Sequence, residues 1–240
     1  MEPICAAEYD WGWETKWDDM KRYGPFSRHI RRILKDIIRP LKIESVLDIG
    51  CGQGSFLQEL CVEFSSIKPH GVDISKSAVE LAIQRVPDGR FWVSDITQQP
   101  LNEKYDLVVC SEVLEHIPDD ITTLRNLRQM TGKYLLISAP QGRMRRFERK
   151  VGHVRNYAPG ELVQRLEQNG FVVVSTLEWG FPFYSPLYRN FLEITGSKGT
   201  TGDFGQIRKW ISNMIYYVFK LNSSKRGDEI FVLAKPSPHN

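Results

Sequence analysis

Val46-Leu-Asp-Ile-Gly-Cys-Gly-Gln-Gly54 is the stretch that decides the fold. It opens as a short apolar run of strand character, places glycines at 50, 52 and 54, and passes into GSFLQELCVEF, which has helical spacing. Three alternate glycines after a buried strand let the backbone turn sharply into a helix. They also let a ligand reach the main chain without meeting a β-carbon. A nucleotide-like guest is therefore expected. A dinucleotide fingerprint would place its third glycine at 55, where Ser55 stands, so the spacing disfavours that class. Asp48, two residues before the first glycine, would repel a pyrophosphate at the loop mouth but receive an ammonium group. An amino-acid-bearing nucleoside suits it better.

Outward from this loop the chain keeps alternating. HGVDIS, FWVSDI, YDLVVCS and KYLLISAP read as further strands, with KSAVELAIQRV as a helix between two of them, a pattern that predicts a parallel sheet with crossover helices. A helix over roughly 159–169 leads into FVVVSTLEW, and EIFVLAKP closes a set of seven strands. Upstream, Phe26, Ile30, Ile33, Leu34, Ile37 and Ile38 make one helix face that Pro40 ends. Residues 8–23 carry three tryptophans without a clean period and read as an arm that must pack on something. The connection 180–228 is far longer than a hairpin needs and reads as an aromatic, partly helical cap. Its stripe Ile207, Trp210, Ile211, Met214, Ile215 and Val218 is expected to pack on the sheet or on a second copy. The expected organisation is an arm and helix over 1–40, a core of 41–179 with 229–236, and the cap 180–228.

The 240 residues are 41% apolar and 25% charged, ordinary for a globular domain, which excludes collagen-like, disordered and disulfide-scaffold classes. No apolar run approaches the roughly 20 residues that span a bilayer. The first ten residues carry acids rather than a basic leader, so a cytoplasmic location with free thiols at Cys5, Cys51, Cys61 and Cys110 is expected. No CxxC pair or other ligand spacing suggests a metal.

The segments VLDIGCGQG, GVDIS, SDI, YDLVVCSEVLEHI and YLLISAP, from Val46 to Pro140, resemble in order and spacing the class I S-adenosylmethionine-dependent methyltransferases. The resemblance implies a Rossmann-like α/β three-layer sandwich: a seven-stranded, mostly parallel sheet with the last strand antiparallel, and the cap inserted between the last two strands. It implies S-adenosyl-L-methionine as cofactor. Gly50, Cys51, Gly52 and Gly54 would lie beside its methionine part, with Asp48 near its amino group. Asp73 would accept from both ribose hydroxyls, with Ile74 and Ser75 beside it and Ile74 on adenine. Asp95 and Ile96 would meet the adenine edge, and Ser111, Glu112 and Val113 would pass beneath the sulfonium. Each acid alone also has a local reading, Asp73 as a helix cap and Asp95 as a turn former. Three of them at the ends of three successive strands favour the cofactor.

Methyl transfer from a sulfonium needs chiefly alignment, with a base most useful when the acceptor is a hydroxyl. His116, His153 and Tyr157 are the candidate catalytic side chains, and Glu115 reads as an acid that orients its loop. GHVRNY, over 152–157, resembles a segment of quinone-, sugar- and glycolipid-type methyltransferases, which implies that His153, Arg155 and Tyr157 face the acceptor.

The net charge of +3 hides a cluster. Between Gln141 and Arg155, six basic residues stand against the single acid Glu148. Arg143, Arg145, Arg146 and Arg155 are candidate contacts for a phosphate or carboxylate of the acceptor, or for anionic lipid at a membrane surface. Only Phe147 interleaves them, which argues against nucleic acid. The expected partner is a small-molecule or lipid- or sugar-linked acceptor, methylated at oxygen, by a monomer or homodimer. Methylation at nitrogen or carbon, an RNA acceptor, or cofactor binding without turnover are the alternatives.

Overall fold

The computed structural model describes residues 6–196 and 200–238. Seven strands form one sheet: β1 (Ser45–Ile49), β2 (Lys68–Asp73), β3 (Arg90–Val93), β4 (Tyr105–Ser111), β5 (Thr131–Pro140), β6 (Phe171–Trp179) and β7 (Glu229–Pro236). Their order is β3-β2-β1-β4-β5-β7-β6, with β7 antiparallel to both neighbours and β1 to β5 parallel. The reversed final strand and the Rossmann-like layers are as the sequence implies.

Strand side chains alternate between two buried faces. Val46, Leu107, Val109 and Leu136 enter one core layer with α3 (Pro25–Ile38) and α4 (Ser55–Glu63). Leu47, Val108, Cys110, Leu135 and Ile137 enter the other with α6 (Asp120–Met130) and α8 (Glu161–Gln168). Period-two alternation with both faces apolar is what helices on each side of a parallel sheet require. The remaining crossover helix is α5 (Lys76–Arg85).

Two segments depart from expectation. The arm is helical: α1 (Ala6–Gly12), a π-helical turn over Trp13–Trp17, and α2 (Asp18–Tyr23). A π turn takes in an extra residue, so the 3.6-residue period breaks where the tryptophans fall. It brings Trp13 and Trp17 edge to face, ring centroids 5.7 Å apart.

The cap contains α9 (Arg189–Thr195) and α10 (Gln206–Phe219), with a short α7 (Arg146–Lys150) in the preceding basic loop. Of the apolar stripe of α10, only Ile215 packs on the core. Ile207 is 76% exposed and Trp210 64%, and Ile211, Met214, Tyr217 and Val218 are also exposed. The opposite face is the one held down. Ser212 donates to the Tyr23 carbonyl, the Tyr216 ring stacks on His29, and Phe219 is buried against Trp179 and Tyr184. Cys51 and Cys110 are buried free thiols and Cys61 is half-buried and free, while Cys5 lies outside the described residues.

Candidate active site

A cavity of about 1240 Å³ opens at the carboxyl ends of β1, β2 and β4, the place where open α/β sheets bind ligands. Its floor is the glycine loop. Gly50 and Cys51 donate to the Val72 carbonyl at 2.8 and 3.1 Å, which folds the loop back over β2. Gly50 and Gly52 have φ of +65° and +52°, and a β-carbon on either would meet Val113 or Trp13 at 2.5–2.6 Å. Only glycine keeps this cradle open.

Asp73 ends β2 and is buried. Its two oxygens accept from the backbone N–H groups of Gly52 at 2.8 Å and Ser75 at 2.9 Å. Burial raises its pKa and these hydrogen bonds oppose the rise. Asp48, facing it from β1, is pushed well above the usual carboxylate range by burial and by the Asp73 charge. Asp95 accepts from the Thr97 N–H and hydroxyl at 2.9 and 2.6 Å, and Ile74 and Ile96 supply apolar wall. Two buried acids, a bare backbone cradle and an apolar slot fit an adenosine carrying an amino acid.

Ser111, Glu112 and Val113 follow β4 into the cavity. Glu112 has φ of +56°, a strained left-handed conformation costing about 1 kcal/mol for a residue with a β-carbon. It is anchored by Ser138, whose hydroxyl donates to its carboxylate at 3.0 Å. The adjoining 3₁₀ turn Leu114–His116 carries Glu115, fully buried, and His116, whose ring meets that of His153 edge to face at 4.7 Å. Burial holds His116 at a pKa of about 3 and His153 at about 4, so both imidazoles are neutral near pH 7.

Of the residues expected from sequence, Asp48, Gly50, Cys51, Gly52, Asp73, Ile74, Asp95, Ile96, Ser111, Glu112, Val113, His116 and His153 line this one cavity. Others have different work. Gly54 caps α4 and lets it approach Ala82 of α5, while Ser75 caps α5 and donates to Asp10. Tyr157 is fully buried, donates to Asp120 at 2.7 Å and does not line the cavity.

The arginines are mostly committed as well. Arg145, buried, bonds Asn190 at 3.1 Å and pairs with Asp228 at 3.3 Å. Arg146 pairs with Glu193 at 3.2 Å, and Arg143 is exposed. Arg155 donates to the carbonyls of Leu114, Ile117 and Pro118 and so fixes the turn that carries Glu115 and His116. None of these four arginines lines the cavity. Acids meet these cations: the partly exposed Asp228 holds Arg145, and together with the buried Glu148 it holds Arg189 of the cap.

Sequence reading missed Tyr9, Trp13, Trp17 and Lys21 of the arm, Tyr184 and Arg208 of the cap, and Glu148 and Glu229, all of which line the cavity. Glu229 is fully buried, and burial together with Glu112 beside it raises its pKa well above the usual range. The tryptophan-rich arm was the one available signal.

A family model described as a methyltransferase domain matches residues 20–176, well over half of the chain. The trans-aconitate 2-methyltransferase of Azoarcus sp. is 25% identical over 205 residues, 81% of this chain and 78% of that protein. The malonyl-[acyl-carrier protein] O-methyltransferase of Priestia megaterium is 26% identical over 136 residues, 52% of this chain and 50% of that one. The chain spans about half the length, or less, of most of the curated relatives it matches. The N-methyltransferase NodS of Bradyrhizobium japonicum, solved with S-adenosyl-L-homocysteine, shares the fold at a TM-score of 0.63, with 16% identity and 98% of each chain covered. With the sheet order, glycine cradle and strand-end acids already in place, the chain belongs to the methyltransferase-domain family, the class I S-adenosylmethionine-dependent methyltransferases.

Proposed function

We propose that the chain methylates an oxygen of a small-molecule acceptor that has an apolar body, and that this acceptor is lipid-linked. The observation that carries the reading is the cluster of Glu115 with His116 and His153 in the cavity wall, next to Ser111–Val113. When bound, S-adenosylmethionine supplies an electrophilic methyl whose sulfonium leaves as a neutral thioether while an acceptor lone pair forms the new bond. Asp73 and Asp48 hold the ribose and amino group, and the Glu112 backbone positions the segment beneath the reacting centre. The polar cluster receives the acceptor hydroxyl and its proton. Trp13, Trp17 and Tyr184 exclude water from one side of the apolar body. Relatives named as O-methyltransferases, including the ubiquinone biosynthesis enzyme of Nitrosomonas europaea, support oxygen as the attacking atom.

The lipid-linked acceptor has separate support. Ile211 and Arg208 belong both to the cavity wall and to α10, whose exposed apolar stripe is flanked by Arg208, Lys209 and Lys220. Apolar side chains beside cations match a surface of anionic lipid, so the stripe would rest on the membrane that presents the acceptor. No described helix is long and apolar enough to cross a membrane.

A second reading, methylation of an amine, draws support from Glu112, Glu115, Glu148 and Glu229, four acids around one cavity. Labelled methyl transfer separates the two. Incubation with apolar phenols, alcohols and amines should place label in an ether or ester, and label confined to amines would overturn the oxygen assignment.

A further inference from the structure

We infer that Glu115, His116 and His153 form a binding site for one divalent transition-metal ion of the zinc class. Each of the three residues offers a ligand atom, and these atoms lie within 4.8 Å of one another. Two imidazoles and one carboxylate are the donor set such ions take, with bonds of about 2.0–2.2 Å that leave one or more positions open. His116 Nε2 and Glu115 Oε1 are 3.8 Å apart.

A second observation is independent of this clustering. Glu115 is fully buried, yet neither of its carboxylate oxygens has a hydrogen-bond partner. Buried polar atoms normally have partners, and two unpartnered carboxylate oxygens facing two imidazoles mark a site made for a ligand. Lys21 lines the same cavity, but among the described residues no ion pair links it to Glu115. The surroundings are arranged to hold the ligands. Arg155 pins the turn bearing Glu115 and His116, and the amide of Asn156 lies against His153 while donating to Glu148 at 3.2 Å. Such outer contacts fix ring orientation at metal-binding histidines.

The role in catalysis rests on the proposed methyl transfer. With all three side chains used as ligands, an acceptor hydroxyl bound at the open position would lose its proton to solvent, at lower pH than in water. Binding of the ion does not depend on that reading.

Calorimetry of the metal-free chain with Zn²⁺ should show a single ion per chain. Glu115→Gln and His153→Ala should each weaken it by no less than about 100-fold, beyond what loss of an outer contact costs. S-adenosylhomocysteine affinity should stay within threefold, roughly, which would show that the variants are folded. If a variant does not fold, the wild type still decides the matter, because electron paramagnetic resonance of the Cu²⁺-loaded chain should show coupling to two nitrogens. Absence of stoichiometric Zn²⁺ binding, affinity unchanged in both variants, or a copper spectrum without two nitrogens would overturn the site. Failure of the wild type to bind S-adenosylhomocysteine would instead strike the proposed function.

Discussion

Replacing Arg155 separates two accounts of the basic loop. An arginine that greets an anionic acceptor can be removed at the expense of KM alone. In the structure its guanidinium donates to the carbonyls of Leu114, Ile117 and Pro118 and lies 3.6 Å from Asp120, with the side chain only 20% exposed. Asp120 keeps Arg165 and Tyr157 as partners, so the loss in Arg155→Ala falls on the carbonyls. Hydrogen bonds from a charged donor contribute about 1.5–3 kcal/mol each, and the Pro118 carbonyl is in an exposed loop and contributes least. The Leu114 and Ile117 bonds alone sum to about 3–6 kcal/mol, or a melting temperature lower by roughly 6–24 °C for a chain of this size. Loosening the turn moves Glu115 and His116, and a displacement near 1 Å costs about 100-fold in rate. Thermal unfolding and steady-state kinetics should therefore show reduced stability and reduced kcat, with S-adenosylhomocysteine affinity unchanged. Arg155→Lys should recover less than half of the stability, since an ammonium cannot fork across three acceptors. A stable Arg155→Ala protein with normal kcat and raised KM would refute the positioning role.

Asp73→Ala should weaken S-adenosylhomocysteine binding by about 2 kcal/mol or more in calorimetry, through loss of a charged acceptor; unchanged affinity would remove Asp73 from the ribose. His153→Ala should slow turnover with cofactor affinity intact, and unaltered turnover would exclude it from the reacting centre. His29 is fully buried between Trp179 and Tyr216, and burial lowers its pKa from 6.5 to about 4. Because the folded-state value is depressed, its stability contribution is complete above pH 6.5 and is lost as pH falls towards 4, by up to roughly 3 kcal/mol. Urea unfolding between pH 7 and 4 should show this slope, and His29→Gln should flatten it. Trp210→Ser with Met214→Ser should abolish flotation with anionic vesicles, and a wild type that instead dimerises without binding vesicles would assign the stripe to a second copy.

The parallel core was legible because its strands alternate between two buried faces: Val46 against Leu47, and Leu107 and Val109 against Val108 and Cys110. The cofactor end was legible because Asp48, Asp73 and Asp95 stand at strand ends, where the backbone itself brings them together. The arm was not, since a π turn breaks the helical period across Trp13–Trp17. Charge misled for a different reason. Arg145 finds Asp228 and Arg155 finds the carbonyls of 114–118 only after folding, and a run of arginines looks the same whether it faces solvent or meets acids and carbonyls of the fold. Glu115 and Glu229 are acids whose burial no local pattern announces. The α10 stripe was visible as a stripe, but which face of the helix meets the protein depends on Ser212, Tyr216 and His29.

The strand-end cavity is built for S-adenosylmethionine. Isothermal titration of the wild-type chain with S-adenosylhomocysteine should give one site per chain with micromolar affinity. Absence of binding would contradict the account.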